Sequence, residues 1–285
     1  MYNLKNTDAQ QRVEQEALAM LHTMDCYETY KLLDILVKNK SLNFTLMHQA
    51  RQHLFSRPIT LNFPQLRNLL FIFSSLQVNN PSELKEISIN ILEFLESKFI
   101  PISNSHLVAV LLSCSKLGWN YTQLSNKIIN ELNNDEELFK TESDKVLTNL
   151  LVSLCHLNLE TYKDFGRKIA DHLISNNNIT KNSQLEIVSS LACLKIAEKN
   201  DVLQVLQPDV YQPILDSLRD SPKFFQDNVK CKLLSLYGYL REDLSESTGD
   251  IDKIACKWRD QLQAEVIIHA SFLYQPAHQT HSVRA

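Results

Sequence analysis

A leucine phrase that returns along the chain constrains the fold more than any other feature. Its clearest copy is Leu107–Leu132, LVAVLLSCSKLGWNYTQLSNKIINEL, just after His106. Within it Leu107, Val110, Leu111, Cys114 and Leu117 stand in steps of 3, 1, 3 and 3. That is the spacing of one helix face. Gly118 then offers a turn, and Leu124, Ile128, Ile129 and Leu132 mark a second helix. Shifting the pattern forward by 40 gives Leu147, Leu150, Leu151, Leu154 and Leu157. Shifting it back by 41 gives Leu66, Leu69, Leu70, Phe73 and Leu76.

Three looser copies complete the series. A shift back by 75 gives Leu32, Ile35, Leu36, Asn39 and Leu42, and a shift forward by 77 gives Gln184, Ile187, Val188, Leu191 and Leu194. The last copy puts Leu233, Leu234, Tyr237 and Leu240 on the pattern. The anchor leucines Leu42, Leu76, Leu117, Leu157, Leu194 and Leu240 are spaced by 34, 41, 40, 37 and 46. A variable period near 40 is typical of stacked helix pairs. A second column, Ser74, Ser115, Cys155, Ala192 and Gly238, is small in five copies and is expected to face a neighbouring helix.

The expected fold is all-α: a right-handed α-solenoid of about six helix-turn-helix repeats. Residues 1–27 are read as an N-terminal cap helix, with Val13, Ala17, Met20, Leu21 and Met24 on its apolar face. Residues 28–245 form the repeats, and 246–285 a C-terminal capping helix, from about Ile251 to Leu273, with a mobile tail. Only 4 Gly and 8 Pro occur in 285 residues, too few for the many turns of a sandwich or barrel. Helix starts are expected at Asn80-Pro81, Thr141 to Asp144 and Ser221-Pro222. Pro208 and Pro213 should interrupt the second half of the fifth copy.

Charge narrows the function. The net charge is −4, with 13 Lys/Arg against 14 Asp/Glu in residues 1–140 and 16 against 19 in the remainder. Neither half has the cationic surplus of a protein held on RNA mainly through phosphates. Six cysteines are scattered with no C-x-x-C and read as reduced, mostly buried residues. No run of 18 apolar residues suggests membrane insertion. The acidic start, with Asp8, Glu14 and Glu16, resembles neither a secretory signal nor a transit peptide.

Chemistry-bearing patterns are sparse. Cys155-His156 are adjacent, so on a helix they point about 100° apart, and no oxyanion elbow accompanies them. His48 and His53, and likewise His278 and His281, lack the spacing of an H-E-x-x-H metal site. Asp135, Glu136 and Glu137 are consecutive in a polar turn, and no glycine-rich phosphate cradle occurs. No catalytic, cofactor or metal set is therefore expected, and no small-molecule substrate. Phe71, Phe73, Trp119, Tyr121 and Phe165 could stack bases but at helical spacing read mainly as core. Lys116, Lys127, Arg167 and Lys168 are expected on the surface, where one contiguous stripe, joined by Lys195, would hold phosphates.

Cys114-Ser115-Lys116-Leu117-Gly118-Trp119, preceded by Leu111-Leu112-Ser113, resembles the leucine–small–lysine–leucine–glycine phrase of octotricopeptide and heptatricopeptide repeats. A similar phrase occurs in the helical region of FAST-kinase-like proteins, often ahead of a RAP domain. Leu151 to Asn158 is a second match, and the resemblance spans roughly residues 28–245. It implies a mitochondrial or plastid location and work on organellar RNA or within an organellar ribosome. The acidic balance, and the lack of a RAP-like stretch, favour a non-enzymatic scaffold in a mitochondrial ribosome or RNA–protein complex. Its partners would be ribosomal or other complex proteins and ribosomal RNA. The RNA contacts implied are Lys116, Trp119, Lys127, Arg167, Lys168 and Lys195. A protein-only adaptor of armadillo or HEAT type is the alternative.

Overall fold

The computed structural model describes residues 7–41, 43–97, 101–175 and 179–242. Every regular element among them is helical, with no strand. The expected anchor Leu42, the polar break at 246–250, the helix at 251–273 and the tail lie outside the described residues. Contacts divide the chain into two compact units, Met1–Leu138 and Phe139–Ala285.

The first unit holds α1 (Thr7–Met20), α2 (Cys26–Lys38), α3 (Phe44–Phe55), α4 (Phe63–Leu76), α5 (Pro81–Ser97), α6 (Asn104–Leu117) and α7 (Thr122–Asn133). Each even-numbered helix from α2 to α6 packs on the helix that follows it. Helix α4 also packs on both α2 and α6, and α5 packs on α7. Four of these helices, α2 to α5, start at short polar capping side chains. Asp25 with Glu28 and Asn62 with Gln65 form reciprocal capping boxes at α2 and α4. Asn43 caps α3, and Asn80 accepts from the Ser82 amide at 3.2 Å ahead of Pro81.

The four-residue α8 (Leu138–Thr141) follows at the boundary. The second unit then holds α9 (Asp144–His156), α10 (Lys163–Ser175), α11 (Lys181–Cys193), α12 (Lys199–Val205), α13 (Pro208–Ser217) and α14 (Lys223–Glu242). Helix α11 is its centre, packing on α9, α10, α12, α13 and α14. As expected, Pro208 restarts the helix in the fifth copy. Pro213 does not interrupt it. A proline there leaves the Asp209 carbonyl without its helical donor, and the Lys181 ammonium donates to that carbonyl instead. At α14 the helix starts at Lys223, one residue after Pro222, whose carbonyl accepts from the Phe225 amide at 2.9 Å.

Five helices end in the same way. Lys40, Gln77, Gly118, Asn158 and Lys195 all have left-handed backbone, with φ between 51° and 62°. The next amide in each case returns to the carbonyl five residues back: Ser41 to Leu36, Val78 to Phe73, Trp119 to Cys114, Leu159 to Leu154 and Ile196 to Leu191, at 2.9–3.0 Å. The left-handed residue's own amide bonds three residues back, as Gly118 does to Ser115 at 3.1 Å. These are Schellman motifs, which satisfy carbonyls that a helix end otherwise orphans.

The turns supply an exact register for the repeat. From α4 to α11 it agrees with the leucine columns: the anchors Leu117, Leu157 and Leu194 are buried, and Leu76 is half-buried. In the first copy it does not. The turn at Lys40 aligns Thr29, Leu32, Leu33, Leu36 and Asn39 with the columns, three residues away from the register expected from leucines alone. Accordingly Thr29, Leu33 and Leu36 are buried and Ile35 is 52% exposed. A helix face repeats after three or four residues, so a shift of three still matched several apolar positions. The sixth copy carries no such turn, because α14 continues as helix through Arg241 to Glu242.

The cap helix also differs from expectation. Val13 and Met20 are exposed, whereas Ala17 and Leu18 pack against Leu36, Leu46 and Met47. Helix α1 is rotated because Glu14 faces inward, accepting from Ser41 Oγ at 2.6 Å and Asn43 Nδ2 at 3.0 Å. Glu14 thereby ties α1 to Asn43, the residue that caps the start of α3.

Candidate functional site

The proposed RNA-contacting residues fall in both units, and each unit is described by itself. In the first, Lys116 lies exposed in the last turn of α6. Trp119 supplies the closing amide of the Schellman turn, and its indole N–H donates to Ser88 Oγ at 3.1 Å. Ser88 is fully buried on α5. The indole edge is therefore used to fasten the α6–α7 turn to the preceding hairpin. Lys127 pairs with Glu131 at 3.1 Å along α7.

In the second unit Arg167 meets three carboxylates: Asp171 at 2.8 Å, Asp201 at 2.9 Å and Glu198 at 3.4 Å. Its charge is balanced locally, and it joins α10 to α12. Lys168 and Lys195 are exposed. The turn that carries Lys195 lies against α10: a Cβ built on Gly166 would stand 3.3 Å from Leu194 and 3.8 Å from Ile196. Lys116, Lys168 and Lys195 are the cations of the set that remain exposed without a described carboxylate partner.

The aromatic candidates divide likewise. Phe73 and Phe165 are buried, Tyr121 is half-buried with its hydroxyl on Gln123 at 3.0 Å, and Phe71 is 52% exposed. His53 bonds the Met24 carbonyl at 3.0 Å, and His48 faces Arg51 at 3.3 Å.

Sequence reasoning missed a cavity of about 180 Å³ in the second unit. It lies among α9, α11 and α14, and its lining includes Cys155, Cys193, Cys231, His156 and Ser189. Glu186 of α11 and Lys232 of α14 form an ion pair at its edge. Ser189 Oγ is buried there without a hydrogen-bond partner. Cys155 and Cys193 both line the cavity, near enough for each thiol to act on the other. Their mutual interaction, seconded by burial, pushes the Cys155 thiol far up, and it holds Cys193 down at about 7 against partial desolvation of the Cys193 thiol on the cavity side. Burial also pulls the His156 imidazole below its usual range. Burial and Asp227 raise the Cys231 thiol, so it stays protonated. A signal was present in the sequence: Cys155 and Cys193 are separated by nearly one repeat, which brings them to neighbouring positions on successive first helices.

Family models were compared with the chain and none matches; no curated protein matches it either. No helix among the described residues is long and apolar enough to cross a membrane.

Proposed function

We propose that the chain is a non-enzymatic helical-repeat scaffold, built as a right-handed solenoid of about six hairpins, that works inside an organellar ribosome or a related RNA–protein complex. The observation that carries this reading is the Schellman turn recurring at Lys40, Gln77, Gly118, Asn158 and Lys195, intervals of 37 to 41 residues. A chain built from one repeated unit offers an extended surface rather than a single cleft. The repeat phrase around Gly118 supplies the organellar and RNA part of the proposal.

On this reading RNA contact rests on Lys116, Lys168 and Lys195. Arg167, Lys127 and Trp119 serve the scaffold through their bonds to Asp201, Glu131 and Ser88. The same three bonds favour the second reading, a protein-only adaptor of armadillo or HEAT type. Ultraviolet crosslinking in isolated mitochondria, followed by purification of the chain, separates the two. The scaffold reading expects RNA-linked peptides that include Lys116, Lys168 or Lys195, together with ribosomal proteins. Reversing all three charges to Glu should remove most of the RNA signal. Protein partners without RNA support the adaptor, and a free monomer overturns both.

A further inference from the structure

We propose that Cys155 and Cys193 are a modification site, a dithiol that a hydroperoxide converts to a reversible intramolecular disulfide. Geometry is the first argument. Cys155 stands one residue before the end of α9, Cys193 is the last residue of α11, and these helices pack on each other. Both cysteines stand at the C-terminal ends of packed helices and line one cavity, so side-chain rotation can bring the sulfurs to disulfide geometry. The cavity is the second argument. Both residues line it, and Cys193 is exposed as a residue although its thiol is partly desolvated, so a small oxidant approaches it through the cavity without unfolding.

The division of labour follows from the environments. Cys193, held down at about 7, supplies the thiolate, and Cys155 is the resolving thiol. The Cys193 thiolate attacks one peroxide oxygen: the S–O bond forms, the O–O bond breaks, and the leaving hydroxide takes up a proton as water. Cys155 sulfur then attacks the sulfenic sulfur. The S–S bond forms, the S–O bond breaks, and the second hydroxide leaves as water with the proton of Cys155. Two thiols are oxidised, and one peroxide is reduced to two waters. A small dithiol reverses the step by exchange and becomes oxidised itself. The third cysteine of the cavity, Cys231, is buried and protonated and does not compete as nucleophile. In the first unit the fully buried Cys114, pushed up to about 12, is an internal control that should not react.

The reduced full-length chain is treated with hydrogen peroxide in slight excess and digested under non-reducing conditions for mass spectrometry. The expected product is a crosslinked peptide pair joining Cys155 to Cys193, lighter by two hydrogens and restored by dithiothreitol. Cys155→Ser should yield a sulfenic acid at Cys193 that dimedone traps. Should that variant misfold, Cys193→Ser, at an exposed position, must abolish the crosslink and leave Cys155 unoxidised. Iodoacetamide labelling of Cys193 should rise about tenfold from pH 6 to pH 8, against nearly a hundredfold for an ordinary thiol. Pairing of Cys193 with Cys231, over-oxidation of Cys193 without a crosslink, or no oxidation at all would overturn the proposal.

Discussion

Exchanging residues at the left-handed turns tests the repeat unit directly. Gly118 has φ 62°, and a Cβ built on it would have nothing within 4 Å. Replacement by alanine therefore carries no packing penalty and isolates the backbone cost. An L-residue in left-handed backbone costs roughly 1–2 kcal/mol. Alanine recovers about 0.4–1 kcal/mol by restricting the unfolded chain. Gly118→Ala should thus destabilise by about 0.5–1 kcal/mol, the difference of those two effects. The reverse change, Lys195→Gly at φ 59°, should stabilise by a similar amount, since the exposed Lys195 side chain has no described hydrogen bond or ion pair to lose. Gln77→Gly should gain less, because the Gln77 side chain donates to the Ser74 carbonyl at 2.8 Å. Urea titration of the full chain followed by circular dichroism measures each change as a midpoint shift at constant slope. Gly118→Ala without effect, or Lys195→Gly destabilising, would refute a Schellman turn as the shared closing element.

Three further outcomes follow from other contacts. Ser88→Ala leaves the Trp119 indole N–H unpaired and should cost about 1 kcal/mol, read by denaturant titration with tryptophan emission. At Asp34, burial pushes the carboxyl up, but the bonds from Lys38 and Asn68 outweigh it, so its folded pKa lies below the ordinary value. Its contribution is then present above about pH 4 and lost as pH falls through the lower folded pKa; Asp34→Asn should start less stable at neutral pH and show a shallower acid loss in a thermal melt. Gly166→Val drives a branched side chain toward Leu194, 3.3 Å from the new Cβ; overpacking of this kind should lower stability by about 1–3 kcal/mol, measured by urea titration.

The leucine columns made the helices legible because a buried face must be apolar at a spacing near 3.6. Where the anchor was a leucine, as at Leu117, Leu157 and Leu194, register followed as well. In the first copy Asn39 holds that place, and the nearest leucine drew the alignment three residues along. The turns themselves were nearly invisible. Gly118 and Asn158 are residue types that favour left-handed backbone, while Lys40, Gln77 and Lys195 hold the same backbone with residues that carry no such mark. Surface charge was legible as composition but not as pairing. Arg167 is legible as a surface cation, but its ion pairs with Asp201 and Glu198 depend on helix-to-helix distances that the sequence does not state. The thiol pair needed the packing of α9 on α11, which one sequence states only through its near-repeat spacing.

The turns have a constant form, yet the number of residues between them varies. Length is therefore absorbed in the connections between helices and not in the closing hydrogen bonds. Each turn resets the phase of the chain, so a residue gained or lost in a connection alters one linker and leaves the next helix face intact. That makes the turn a splice point for engineering. Hairpins cut and rejoined immediately after a left-handed residue should keep their cores in phase, whereas joints made by matching leucines risk a slip of one helical turn.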